Sequence, residues 1–331
     1  MSSSSPDVAA DHIDGLRARV DDALPALVAD REPPVLYDPV QYVLEGGGKR
    51  VRPTLLLLVA ETYGTPPDTA LPAALAIEVF HNFTLVHDDI MDEADERRGR
   101  STVHVKWDVG TAILVGDLMM GLSYELLDEV EGADTDALHA VYHPMVKRLC
   151  SGQALDASFE EQRDVSVEAY LDMVDGKTAA LLSAAFEIGA AIGGAGEEDR
   201  EHLRAAGTLV GRAFQIQDDL LDLTADGDEW GKAVGGDLVV GKKTYLTLRA
   251  LERAEGDEHD WFARLVTDGG LPPADVPEAR ERMDRLGIFE DARAAVARYS
   301  DAAREHLEVL PEGPATTALH WLIDQMEARS H

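Results

Sequence analysis

An all-α fold is predicted for this 331-residue chain. Long segments carry apolar residues at helical spacing, as in Leu71, Leu75, Val79, Phe83 and Val86. The period-two alternation bounded by turns that marks a half-buried strand is missing. Gly- and Pro-rich interruptions separate helices rather than domains. They fall at Pro33-Pro34, Pro66-Pro67, Glu93 to Arg100, Gly193 to Gly196, Ala225 to Gly236 and Gly269 to Pro273. Between them helices are expected over residues 11–29, 37–45, 50–63, 70–92, 110–130, 136–162, 178–192, 199–222 and 243–255, with further helices to the C-terminus. Residues 1–10 read as a disordered polar tail and residues 11–331 as one all-α domain. No repeat of fixed period stands out.

Composition narrows the classes of function. Acidic residues outnumber basic ones 63 to 30, a formal net charge of −33, which argues against nucleic acid or an anionic membrane surface as a partner. Polyanionic substrates would need local basic pockets. The basic residues comprise 7 Lys and 23 Arg, and the acids are spread along the whole chain, a pattern that suggests a salt-rich cytoplasm where ions screen the carboxylates. Cys150 is the only cysteine, which excludes an intrachain disulfide and a cysteine zinc site and fits a reducing, cytoplasmic interior. The Met1–Pro6 start lacks an apolar signal core, and no segment reaches the roughly 18 uninterrupted apolar residues of a membrane span. Ala179 to Ala195 comes nearest, but Glu187 interrupts it, as in a buried core helix.

Two segments share the spacing DDxxD: His87-Asp88-Asp89-Ile90-Met91-Asp92 and Gln217-Asp218-Asp219-Leu220-Leu221-Asp222. On a helix Asp88 and Asp92 are i,i+4 neighbours, as are Asp218 and Asp222, so each pair sets two carboxylates on one face. With 36 Asp in the chain, about 0.4 such matches arise by chance, so one copy is weak. Both copies close a long apolar-periodic helix, which ordinary solvated helix ends would not require. Hard carboxylate oxygens in this pattern suit Mg²⁺, which keeps several waters and completes its shell with substrate phosphate.

Cations gather elsewhere. Gly46-Gly47-Gly48-Lys49-Arg50-Val51-Arg52-Pro53 is a glycine-rich turn feeding three cations into a helix start, which favours anions. It lacks the GxxxxGK[ST] spacing of a Walker loop. Arg97-Arg98-Gly99 follows the first acidic motif, and Lys177-Thr178, Lys232 and Gly241-Lys242-Lys243-Thr244 lie further on. In a lysine-poor chain, Lys49, Lys177, Lys232 and Lys242 all fall in such Gly- or Thr-flanked segments, and together they read as two phosphate pockets.

These residues resemble the trans-isoprenyl diphosphate synthase family, which includes farnesyl and geranylgeranyl diphosphate synthases. The likeness runs from Gly47 to about Thr244 and rests on GGKRVRP at 47–53, HNFTLVHDDIMD at 81–92, RRG at 97–99, GQALD at 152–156, KT at 177–178, FQIQDDLLD at 214–222 and GK at 231–232 and 241–242. It implies a helical bundle around a deep central cavity, a homodimer, and the two Asp motifs on facing helices near the cavity mouth. By the same resemblance Lys49, Arg52, His81 and Arg98 hold the diphosphate of isopentenyl diphosphate. Arg97, Lys177, Thr178, Gln215, Lys232 and Lys242 face the allylic diphosphate, which is dimethylallyl, geranyl or farnesyl. Asp88, Asp92 and Asp218 match Mg²⁺ ligands, with Asp89, Asp219 and Asp222 in support. Tyr245-Leu246-Thr247 departs from the Leu-Pro that many members carry after the Lys-Thr pair.

The implied reaction ionises the allylic diphosphate, joins the cation to the isopentenyl double bond and releases a proton. Product length depends on what blocks the growing tail. Phe83 and Phe80 precede Asp88 by about 7.5 and 12 Å along a helix axis, two candidate floors beside the small Thr84. That arrangement resembles archaeal geranylgeranyl (C20) synthases, with farnesyl diphosphate as a second product and a C25 synthase as the alternative. A terpene cyclase would not need Lys49, Arg52 and Arg98. An HD-type phosphohydrolase would need several more histidines, and a non-catalytic subunit of a heteromeric prenyltransferase would have lost an Asp motif.

Overall fold

A computed structural model describes residues 6–225 and 234–327. The fold is all-α. Helices α1 (Pro6–Ala26), α2 (Pro34–Leu44), α3 (Val51–Thr62) and α4 (Pro67–Met91) lead to α5 (Val103–Lys106), α6 (Val109–Asp128), α7 (Thr135–Glu161) and α8 (Val167–Val174). A five-residue π-turn, Asp175–Ala179, joins α8 to α9 (Ala180–Ile192), which precedes the long α10 (Glu197–Thr224). Beyond come α11 (Gly236–Val239), α12 (Tyr245–Arg253), α13 (Gly256–Thr267), α14 (Val276–Arg285), α15 (Ile288–Leu307) and α16 (Pro314–Glu327).

Both proline pairs mark helix starts. Pro33 and Pro66 sit extended at N-caps, while Pro34 and Pro67 begin their helices where the missing N–H costs nothing. The tail expected over residues 1–10 is helical from Pro6, because Ala9, Ile13, Leu16, Val20 and Leu24 form one buried stripe. The expected helices are present within a few residues of their predicted bounds. Three short helices, α5, α8 and α11, and a two-residue antiparallel hairpin pairing Glu96–Arg97 with Arg100–Ser101 went unforeseen. None is long enough to show a period.

Packing divides the chain into two compact units: Met1–Tyr142 with Ala184–Leu203 and Val309–Trp321, and His143–Ser183 with Arg204–Glu308 and Leu322–His331. In the first, α3 is apolar all round, with Leu55 to Ala60 wholly buried, and it packs on α4, which also lies along α6. The second is built on a cluster that includes Tyr170, Ile216, Leu246, Phe262 and Met283. Each large side chain so buried stabilises the fold by about 1.5–3 kcal/mol relative to exposure. By length and composition α4 and α6 are apolar enough to cross a membrane; the apolar window of α4 is 61% buried inside the protein and that of α6 33%.

Candidate active site

In the first unit, the glycine turn before α3 and the hairpin after α4 bring the predicted cations together. Arg98 takes a left-handed φ of 54° and donates through Nη1 to the Gly47 carbonyl. Gly48 takes a φ of 154°, a backbone conformation that favours glycine, and a Cβ there would press on the tip of Arg98. Arg52 Nη1 donates to His81 Nε2 at 3.2 Å. Burial first, and then Arg52, Arg98, Arg97 and Arg50, hold the His81 imidazole well below its ordinary pKa, so it is neutral and accepts from Arg52. Lys49 and Arg98 are exposed, and Arg52, His81 and Arg97 half-buried.

The third cation of the glycine turn points the other way. Arg50 is 4% exposed and donates to Glu78 at 2.6 Å, to Asp21 at 2.7 Å and to the Leu44 carbonyl at 3.3 Å. Its backbone is left-handed, φ 46° and ψ 36°, at the N-cap of α3. This inward anchor was not legible in the motif, which presents Arg50 and Arg52 as equals. Only the burial of Glu78, on the apolar stretch of α4, separates them.

The two acidic motifs have a common plan. In the first, Asp89 is buried and accepts from Arg97 Nε at 2.8 Å, while Asp88 is half-buried and Asp92, the C-cap of α4, is exposed. Burial lifts the Asp89 carboxyl against the pull of Arg97. In the second, Asp219 is buried and Asp218 exposed. Asp219 Oδ2 accepts the Tyr170 hydroxyl at 2.6 Å and the Tyr245 N–H at 3.0 Å, and Oδ1 accepts Gln215 Nε2 at 3.0 Å. Asp222 accepts the Asp237 N–H at 3.2 Å. Burial, then the charge of Asp237, pushes Asp219 and Asp222 each up to about 6. In both motifs the middle aspartate thus faces inward as a buried acceptor.

Lys177 and Thr178 lie on the π-turn, an irregularity that recurs at functional sites. The turn sits against α7 so closely that a Cβ on Gly152 would overlap the Lys177 backbone nitrogen, which accounts for the glycine of GQALD. The Asp of that motif, Asp156, accepts from Lys177 Nζ at 2.5 Å. Arg212 grips Asp175 through two bonds of 2.6 Å, and Thr178 donates to Gln215 Oε1 at 2.9 Å. Lys242 is exposed and 3.9 Å from Asp237. Partial desolvation of its ammonium works to lower its pKa, but Asp237, Asp219, Asp156 and Asp218 outweigh it and raise the group above its ordinary range. Despite the absent Leu-Pro pair, Thr244 caps α12 by accepting from the Thr247 N–H at 3.4 Å. Lys232 lies outside the described residues.

Of the three residues assigned to product length, Phe80 is fully buried and meets Phe83 edge-on at 5.1 Å and Tyr142 at 5.6 Å. Phe83 is half-buried, with His87 4.9 Å away. Thr84, also half-buried, bonds back to the His81 carbonyl at 2.8 Å.

Among the described residues no three His, Cys, Asp or Glu side chains gather into a group that holds a metal by itself. The exposed or half-buried Asp88, Asp92 and Asp218 suit an ion of another kind, bound through one or two carboxylates with phosphate and water in the remaining places.

The profile of the polyprenyl synthetase family matches residues 33–283. The chain belongs to the polyprenyl synthetase family. This polyprenyl synthetase is 38% identical over 323 residues to a geranylgeranyl diphosphate synthase of Methanosarcina mazei, covering 97% of this chain and 98% of the relative. It is 39% identical over 345 residues to a geranylfarnesyl diphosphate synthase of Natronomonas pharaonis, covering 97% and 99%. It superposes on the crystal structure of geranylgeranyl pyrophosphate synthetase from Pyrococcus horikoshii with a TM-score of 0.89 at 36% identity, over 96% of this chain and 99% of that one. As a polyprenyl synthetase it is a prenyltransferase.

The neutral His81 has a consequence for stability. Unfolding lets the imidazole take up a proton below its ordinary pKa of about 6.5, whereas the folded state resists protonation. The associated stability is fully present above that pH and is lost progressively as pH falls below it towards the depressed folded-state value. His81→Gln keeps an acceptor for Arg52 and does not titrate. Urea midpoints measured at pH 7.5 and 5.5 are expected to fall less in the variant than in the parent, and equal falls would contradict a neutral His81.

Proposed function

We propose that this chain condenses isopentenyl diphosphate with dimethylallyl, geranyl or farnesyl diphosphate, chiefly to geranylgeranyl diphosphate (C20). The observation that carries the reading is the occurrence of two aspartate motifs, each with one exposed carboxylate, alongside two polar groups rich in cations, held by the bonds of Arg50, Asp89 and Asp219. The first group, the cations Lys49, Arg52 and Arg98 with the neutral His81, binds the diphosphate of isopentenyl diphosphate. The second, the cations Arg97, Lys177, Lys232 and Lys242 with the neutral Thr178 and Gln215, serves the allylic diphosphate substrate, its hydrocarbon end included. Residues 11–331 act as a single catalytic domain, in the cytoplasm.

Asp88, Asp92 and Asp218 would hold Mg²⁺, with Asp89, Asp219 and Asp222 supporting them. When bound, Mg²⁺ supplies Lewis-acid charge neutralisation to the leaving diphosphate. The chain's own cations add to that neutralisation and fix the substrates in reacting geometry. The allylic carbon–oxygen bond breaks with its electron pair going to diphosphate. The isopentenyl double bond then forms the new carbon–carbon bond, and the departing diphosphate accepts the released proton. Buried apolar side chains keep water from the cation.

Two sequential aromatic floors, Phe83 and behind it Phe80 backed by Tyr142, favour a C20 product. The second reading, a C25 product with the same chemistry, draws on the Natronomonas pharaonis relative. A homodimer is favoured by α6, whose Val109, Ile113 and Leu114 are 44–59% exposed, apolar surface that a second copy of the chain would cover.

The test is to incubate the protein in concentrated KCl with Mg²⁺, labelled isopentenyl diphosphate and each allylic primer, and to separate the dephosphorylated alcohols. The expected product is a C20 alcohol whose formation EDTA abolishes. Phe83→Ala is expected to shift the main product to C25 or longer. Folded protein that yields no prenyl alcohol would overturn the activity, and an unchanged length in the variant would remove Phe83 as the floor.

A further inference from the structure

Tyr170, on α8, is 2% exposed, and nothing in the reaction above uses it. Phenylalanine would fill the same space, so the hydroxyl needs its own explanation. A buried hydroxyl requires a partner, and this one donates to Asp219 Oδ2 at 2.6 Å. The same oxygen accepts the Tyr245 N–H at 3.0 Å, and the other accepts Gln215 Nε2 at 3.0 Å. An ionised carboxylate only accepts, so the amide of Gln215 must turn its nitrogen to Asp219 and its oxygen away. That oxygen accepts the Thr178 hydroxyl at 2.9 Å. One chain of bonds therefore runs from α8 through α10 to the π-turn, and its direction is fixed at every link.

We infer that Tyr170 is a positioning residue for the allylic half of the site: its hydroxyl orients Asp219, and through it Gln215 and Thr178. The inference rests on the allylic assignment of Thr178 and Gln215 made above. Its chemical content concerns Thr178, whose single hydroxyl proton is committed to Gln215. Towards the substrate that oxygen offers lone pairs only, which suits the positive charge that develops on the allylic fragment rather than a diphosphate oxygen. Without the Tyr170 hydroxyl, Asp219 Oδ2 keeps only the Tyr245 N–H, the carboxylate rotates, and the order of the chain is lost.

The test compares Tyr170→Phe, Thr178→Val and the double variant, with kcat and both KM values measured on folded protein and Asp218→Ala assayed alongside. Tyr170→Phe is expected to lower kcat about tenfold, a loss of differential stabilisation at the reacting centre, and to leave the KM for isopentenyl diphosphate unchanged. The double variant is expected to be no slower than Thr178→Val alone, since both changes cut one chain. Parental kcat in Tyr170→Phe, or losses that multiply in the double variant, would overturn the inference. Should Tyr170→Phe not fold, an unchanged kcat in Thr178→Val would overturn it. Full turnover in Asp218→Ala would instead remove the site assignment itself, so the two failures are distinct.

Discussion

Asp218→Ala is expected to lower turnover about a thousandfold or more, because metal stabilisation of a leaving group is worth several kcal/mol and each 1.4 kcal/mol is a factor of ten. Its thermal unfolding is expected to stay close to the parent's. Asp218 is exposed on α10, and substitutions of exposed side chains cost less stability than those of buried, hydrogen-bonded ones. Its neighbour provides the contrast. Asp219→Ala strands three donors, the Tyr170 hydroxyl, the Tyr245 N–H and the Gln215 amide, so it is expected to lose stability as well as activity. The same division separates Asp88 from Asp89, which binds Arg97. Steady-state turnover paired with a melting curve for each of the four variants separates ligand from scaffold. Unchanged turnover in Asp218→Ala or Asp88→Ala would end the metal assignment.

The outward members of the two motifs were legible because their chemistry is local. DDxxD spacing on a helix sets Asp88 beside Asp92 and Asp218 beside Asp222 whatever the rest of the chain does. The helices were legible for a related reason, since apolar periodicity records which face each one buries. What remained hidden depends on contacts distant in sequence. Tyr170 meets Asp219 across 49 positions, and Lys177 meets Asp156 across 21. A single buried tyrosine on an eight-residue helix has no signature that distinguishes a hydroxyl with a partner from ordinary core. The π-turn was equally silent, because a one-residue expansion between two helices leaves the apolar pattern nearly unchanged. GQALD was visible as a motif, yet its glycine and aspartate acquired reasons only when Gly152 and Asp156 were seen against the Lys177 turn.

The Arg50–Glu78 pair leads to the largest expected change in stability. Both side chains are almost wholly buried, 4% and 3% exposed, and their bond is 2.6 Å long. Glu78→Ala leaves the guanidinium with Asp21, whose own side chain is 49% exposed, as its only carboxylate partner among the described residues. Breaking one side of a buried pair costs about 3–5 kcal/mol, a shift that urea denaturation resolves directly. Replacing both partners, Arg50→Met with Glu78→Leu, is expected to recover most of that loss, because well-packed apolar residues substitute for a buried ion pair at little net cost. Stability alone would then give no reason for the pair. Arg50, however, also holds a left-handed backbone at the N-cap of α3, a conformation that costs about 1–3 kcal/mol and persists only where surrounding bonds enforce it. Releasing it lets the glycine turn move, and Lys49 and Arg52 move with it. The double variant is therefore expected to melt near the parent temperature while its KM for isopentenyl diphosphate rises about ten- to a hundredfold. A double variant with parental KM would show that the pair serves packing alone, and one as unstable as Glu78→Ala would show that the site cannot accept apolar side chains.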